Sequence, residues 1–348
     1  MQNINELESD FEKCEKCGSN MIYSINHNGL HCSFCNSVKI VSDVPSSFRH
    51  SLNNFVHDEK KEEQKQVNLF KCENCGADIK LNNLQISNKC PYCDSANVMD
   101  INEYQGLRPD SIIKFAIPSE SVGHYFKSSL KYKFFVPRAF KKQPAQSCIT
   151  ALYFPSFTFD ATTFTTYNGT LYRYEKSGDE TKKVNFYVKS NIQVQFDDVI
   201  VESSSHISQS MLNNILPYNM TSKMQYKSEY LLGYIVEKHN DLFKNAVMSS
   251  NQIMENQIVN YIVARHNAVG VEHLNKVVNY SNRYYNYTIL PAYVIEYRYG
   301  KKSYKNYMNG QTGKVAGKLP VSPWKVSLVV FAVIAFIACI IYAALTNS

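Results

Sequence analysis

The chain has 348 residues and a formal net charge of +7, and the charge is unevenly spread. Residues 1–105 hold 10 Lys and Arg against 15 Asp and Glu, whereas residues 106–348 hold 27 against 15. The acidic N-terminal part lacks the positive surface that phosphate binding requires, which argues against a nucleic-acid-binding role there.

Eight of the ten cysteines lie in that acidic part and form a repeat. Cys14-x2-Cys17 is followed after fourteen residues by Cys32-x2-Cys35, and Cys72-x2-Cys75 is followed after fourteen by Cys90-x2-Cys93. Each cysteine of the first set recurs 58 positions later. Two CxxC knuckles at this spacing close a tetrahedral thiolate site, so the pattern predicts two zinc ribbons, over residues 1–45 and 69–105, with one structural zinc ion each. Disulfides are the competing reading, and a cytoplasmic location disfavours them. Four sulfur ligands leave no open position for water or substrate, so metal-based catalysis is not expected. Gly18 and Gly76 follow the second cysteine of each set, where a knuckle turn often needs a positive φ. His27 and His31 lie close by but are surplus to a completed thiolate set.

Residues 46–68 read as a linker, with Phe48, Leu52, Phe55 and Val56 at helical spacing before a polar run. Residues 106–320 are long enough for a substantial core. A strand-like stretch over 112–117 leads into a helix start at Pro118 that runs to about Tyr132. Strands follow at 151–160, 162–174 and 184–196. Residues 208–216 and 228–264 read as mostly helical, with Leu231, Leu232, Ile235, Val236, Phe243, Val247 and Ile258 as apolar positions. Strands return at 276–282, 284–299 and 302–308, and Asn309-Gly310 turns into a last short strand. Strands, then helices, then strands predict an α+β domain with a mainly antiparallel sheet. Pro155 and Pro291 fall within strand patterns and suggest edges or bends.

Residues 326–345, opening at Val326 and closing at Leu345, contain no charge. As a helix they would span roughly 30 Å, the thickness of a bilayer's hydrocarbon core. The N-terminus has no apolar segment of the signal-peptide kind, so a single C-terminal membrane anchor is expected. Arg298, Lys301, Lys302, Lys305, Lys314, Lys318 and Lys325 precede it, and no acidic residue follows Glu296. This bias places the body in the cytoplasm. The lysines either touch anionic headgroups or form a solvated surface that encodes topology alone.

No catalytic constellation is evident. Gly310-Gln311-Thr312-Gly313-Lys314 lacks the spacing of a phosphate loop and reads as a hairpin. Asp197-Asp198 reads as a turn rather than a metal site, because neighbouring strand residues face opposite ways.

Taken together, the paired ribbons, Tyr153-x-Pro155, Phe196-Asp197-Asp198-Val199, Tyr230-Leu231-Leu232-Gly233-Tyr234, Leu290-Pro291-Ala292-Tyr293 and residues 309–315 before an apolar span carry a resemblance. The order resembles a bacterial family of zinc-ribbon membrane proteins, often labelled TFIIB-type zinc-finger or primosomal-helicase-like. The helicase label rests on the ribbons, because the chain holds no ATPase motif. The resemblance implies genes beside those for phage-shock protein A and a flotillin-like protein, hence a role in envelope stress or membrane organisation, with such a protein as partner. It supplies no catalytic residues. The sequence therefore leads to a non-enzymatic, membrane-anchored zinc-ribbon adaptor. The alternatives are a membrane tether for nucleic acid and an enzyme with a site not legible in one sequence.

Overall fold

The computed structural model describes residues 12–52, 109–142, 148–178, 180–204, 207–237 and 243–346, with four short strands between residues 69 and 98. The fold is α+β, with antiparallel pairing nearly throughout and an apolar helix at the C-terminal end. The chain divides into two compact units. Met1–Lys114, Tyr153–Gln209 and Asn219–Leu290 make the first; Phe115–Leu152, Ser210–Tyr218 and Pro291–Ser348 make the second.

The first unit is organised by two long strands. Cys148–Ser177 pairs antiparallel with Glu180–Glu202, from Ser156↔Glu202 to Ser177↔Glu180. The strands expected at 151–160 and 162–174 are one continuous element. Burial alternates from Ala161 onward, where Ala161, Thr163, Thr165, Tyr167 and Leu171 are buried; residues 152–159 are buried throughout, and Phe157 and Phe159 continue the Ala161 side. An alternation of period two places these on one face of the strand. The helix Phe243–Arg265 covers that face, burying Phe243, Ala246, Met254, Ile258 and Ile262 at helical spacing. Hydrogen-bonded neighbours in the sheet run Met224–Gln225, Ser111–Ile112, Gly270–Tyr299, Cys148–Ser177, Ile235–Glu237, Gln85–Lys89 and Ala96–Val98.

The helix expected over 228–264 forms only in its second half. Ser228–Leu231 is a short 3-10 turn and Ile235–Glu237 is a strand. Gly233 between them has φ +91°, a conformation that side chains rarely adopt, and the place of its absent Cβ lies 3.2 Å from Ile22. Tertiary contact overrides helical spacing here. Leu232 accepts a hydrogen bond from the backbone N–H of Tyr23 at 2.9 Å, and Val236 pairs with Ser87. Residues 230–237 thus hold a strand of each cysteine-bearing region.

The N-terminal cysteine region is a three-stranded antiparallel sheet of Met21–Ser24, Gly29–Cys32 and Val38–Ile40. It packs within the first unit. Tyr23 meets Tyr230 edge-on with ring centroids 5.4 Å apart, and Tyr230, Leu231 and Leu30 are fully buried. A polar clasp closes beside them. Asp43 accepts from Lys114 at 2.6 Å, from Tyr230 at 2.9 Å and from Asn28 at 3.2 Å. Burial works to raise the Asp43 pKa, and these three donors hold it below its ordinary value.

In the second unit, helices Val122–Ser129, Arg138–Lys142 and Gln209–Ile215 accompany residues 291–299, which form a hairpin with Lys302–Asn309. Val315–Gly317 adds a third strand through Met308↔Val315. The turn expected at Asn309-Gly310 forms, and the Asn309 side chain accepts from the N–H groups of Gln311 and Thr312. Phe126, Phe140 and Tyr297 supply an aromatic core. Pro323–Thr346 is one helix, long and apolar enough over Pro323–Tyr342 to cross a membrane.

The clasp carries a testable sign. A carboxylate with a depressed folded pKa contributes stability above its ordinary value of 3.8 and loses it as pH falls through the folded value. Asp43→Asn should therefore destabilise the full chain by about 1–3 kcal/mol at pH 7 and flatten this acid limb. Urea midpoints in detergent read both effects, and unchanged midpoints would refute the clasp.

Candidate metal centre

Cys14 and Cys17 bracket the first knuckle. The N–H groups of Cys17 and Gly18 both donate to the Cys14 carbonyl, and Gly18 takes φ +73°, as its place after the second cysteine leads one to expect. Cys32 and Cys35 form a second knuckle, where Asn36 donates to Cys32 and takes φ +60°. Asparagine tolerates the left-handed region better than most residues, so it does there what glycine does in the first knuckle. The hairpin between the knuckles brings them face to face.

The four sulfurs all lie within 4.8 Å of one another. Cys14 and Cys35 Sγ are 3.4 Å apart, and Cys17 and Cys32 Sγ are 3.5 Å apart. A tetrahedral zinc ion with sulfurs at about 2.3 Å would set each sulfur pair about 3.8 Å apart. The observed spacing brackets that value, so the donor set fits one ion. Cys14 and Cys32 are buried and the other two are exposed. None of the four is in a disulfide. The Ser37 hydroxyl, 3.1 Å from Cys35 Sγ, together with the Ser37 backbone and Cys14, pulls the Cys35 thiol down to about 6. In the same metal-free cluster the Ser19 backbone works to lower the Cys17 thiol, but burial and the neighbouring thiols push it up to about 12, so the set would release protons on taking up an ion.

His27 and His31 stack on each other with ring centroids 4.8 Å apart, away from the cysteine cluster. Cys72, Cys75, Cys90 and Cys93 lie outside the described residues. The strands around them pair as Leu69–Lys71 with Asp78–Lys80 and as Gln85–Lys89 with Ala96–Val98.

The other candidates resolve differently. Asp198 sits at a register shift inside a continuous strand, with φ +50°, and its N–H donates to Asp160. A bulge therefore takes the place of the turn expected at Asp197-Asp198. Arg49 lies 3.1 Å from Asp160 and 3.6 Å from Asp197, and Lys223 lies 2.5 Å from Asp198. These carboxylates are paired with cations. Among the basic residues near the apolar helix, Lys314 donates to the Leu216 carbonyl and Lys305 pairs with Glu296 at 3.3 Å. Lys325 donates to the carbonyls of Phe134 and Val136. Lys301, Lys302 and Lys318 are exposed.

Fold and site define a class: an α+β protein with a four-cysteine cluster able to hold one metal ion, and a C-terminal helix apolar enough to cross a membrane. Among curated proteins, the chain is similar to the uncharacterized protein YdjG of Bacillus subtilis strain 168, with 26% identity over 321 residues. The match covers 90% of this chain and 91% of that protein. No family model matches, and no solved structure matches.

Cys14→Ser should lower the metal content of the purified full chain by about one ion, because a three-sulfur remnant binds far more weakly. Elemental analysis of chains grown in zinc-replete medium gives the answer. Equal metal in the two proteins would exclude this centre.

Proposed function

We propose that the protein is a membrane-anchored adaptor whose two cysteine sets are zinc ribbons, each with one structural zinc ion, and whose body faces the cytoplasm. On this reading Cys72, Cys75, Cys90 and Cys93 hold the second ion. The identical spacing of the two sets supports it. The ribbons receive a protein partner, and the C-terminal helix holds the assembly at the membrane. The family resemblance supports a role in envelope stress, with a flotillin-like or phage-shock protein as candidate partner.

One observation carries the partner-binding reading. The strand Val38–Ile40 pairs on one side only, with Gly29–Cys32, and its other edge is open among the described residues. Val38 and Ile40 share a face, and Ile40 is 79% exposed, as is Phe34 in the adjoining knuckle. An open strand edge beside exposed apolar side chains is a template for adding a strand from another protein. The acidic balance of residues 1–105 favours a protein over nucleic acid as the occupant. A nucleic-acid tether remains the alternative, and it would show as salt-sensitive DNA binding by the full chain.

Val38→Lys with Ile40→Lys should leave metal content unchanged and lower partner recovery several-fold after crosslinking in intact membranes. Recovery at the wild-type level would sink the edge as the docking site.

The basic flank of the helix supports this orientation. A protease site inserted before Cys14 should resist protease added to intact cells and be cut once the membrane is opened. Cleavage in intact cells would reverse the topology.

A further inference from the structure

The second unit presents three aromatic side chains in a row of four residues to solvent. Tyr132 is 86% exposed, Phe134 57% and Phe135 44%. They lie in the turn between Val122–Ser129 and Arg138–Lys142, interleaved with exposed Lys131 and Lys133 and followed by exposed Arg138. The turn has a firm base. Val136 and Phe140 are buried, and Phe140 packs against Tyr297 at 5.0 Å. Loose packing therefore does not account for the exposed rings, which are held outward. Exposed aromatic rings among lysines combine apolar area with cationic charge, and the bilayer interface rewards both.

The turn is fastened to the first turn of the apolar helix. The Ser322 N–H donates to the Phe135 carbonyl at 2.8 Å. Lys325 Nζ donates to the carbonyls of Phe134 at 2.7 Å and Val136 at 2.8 Å. Trp324, between those two anchors, is 73% exposed. If the helix crosses a bilayer, Trp324 lies at the interface, where an indole is favoured. A segment bonded to residues 322 and 325 must then lie at the same depth.

We propose that residues 131–135 form a second membrane contact, with Tyr132, Phe134 and Phe135 inserted among the headgroups of an anionic bilayer and Lys131 and Lys133 on its phosphates. The contact braces the helix where it enters the membrane and fixes how the second unit meets the lipid surface. It rests on the reading that the helix spans the membrane, and it uses none of the lysines that the sequence singled out for lipid contact except Lys325, which serves as the fastening.

The chain has one tryptophan, so depth can be read directly. Full-length protein is reconstituted into phosphatidylcholine–phosphatidylglycerol vesicles carrying lipids brominated near the headgroup end of the acyl chain. Wild-type Trp324 reports the helix. The double variants Trp324→Phe/Phe134→Trp and Trp324→Phe/Tyr132→Trp report the turn. Both introduced indoles should be quenched at least about half as strongly as Trp324. Adding Lys131→Glu and Lys133→Glu should reduce that quenching severalfold while leaving Trp324 in the otherwise native chain unaffected. Strong quenching of Trp324 with neither introduced indole quenched overturns the proposal and spares the membrane helix. An unquenched Trp324 overturns both. Quenching of the turn that ignores the charge reversals overturns the anionic part and leaves apolar insertion alone.

Discussion

The first unit depends on what residues 230–237 touch. A three-stranded sheet of this size cannot bury a core by itself, and a four-sulfur metal site supplies only a local crosslink. The remaining stabilisation comes from outside the cysteine region. Tyr230, Leu231 and Leu232 are buried, Tyr23 binds the backbone of Leu232, and Val236 pairs with a strand of the second cysteine region. Asp43, Lys114 and Tyr230 then close the polar side. An ion in the sulfur site would order the hairpin that carries Tyr23, so metal and docking would support each other. Removing such an ion would then be felt in the body of the unit as well as in the knuckles.

This arrangement limits what the proposed partner could reach. The edge of the small sheet near Tyr23 is occupied by Leu232, so the available edge is Val38–Ile40. A partner that adds a strand there meets Phe34 and Ile40 without dismantling the packing of Tyr23 on Tyr230. Recruitment by this route would leave the unit's core undisturbed. Recruitment through the other edge would have to displace a buried tyrosine contact.

Much of this was legible in the sequence, for identifiable reasons. The CxxC spacing is a covalent-distance constraint, so Cys14, Cys17, Cys32 and Cys35 could be grouped without knowing the fold. The apolar helix and the Asn309-Gly310 turn follow from composition and local backbone preference, which a single sequence carries. Residues 230–237 misled because Leu231, Leu232, Ile235 and Val236 suit a helix face as well as a docked loop. Tertiary contacts decide between them: Gly233 against Ile22, the Tyr23 N–H on the Leu232 carbonyl and the pairing of Val236 with Ser87. Asp197-Asp198 misled for a similar reason. A bulge is set by register with the partner strand, which local sequence does not encode. The Lys325 fastening was hidden because its acceptors are backbone carbonyls nearly two hundred residues away.

The two ends of the chain face different physical demands. Beside the apolar helix the basic residues do not form one uniform charged surface. Lys314 and Lys325 bind carbonyls, Lys305 pairs with Glu296, and Lys301, Lys302 and Lys318 stay exposed. A cation committed to a carbonyl cannot also neutralise a headgroup at full strength, so net charge alone overstates the electrostatic attraction. If the helix enters a bilayer, the exposed rings beside it are suited to fixing depth together with Lys131 and Lys133. Rings resist salt, whereas lysine contacts weaken as ionic strength rises. On the proposed reading, a platform held by helix and rings together would keep more of its orientation across conditions that would loosen a purely electrostatic one.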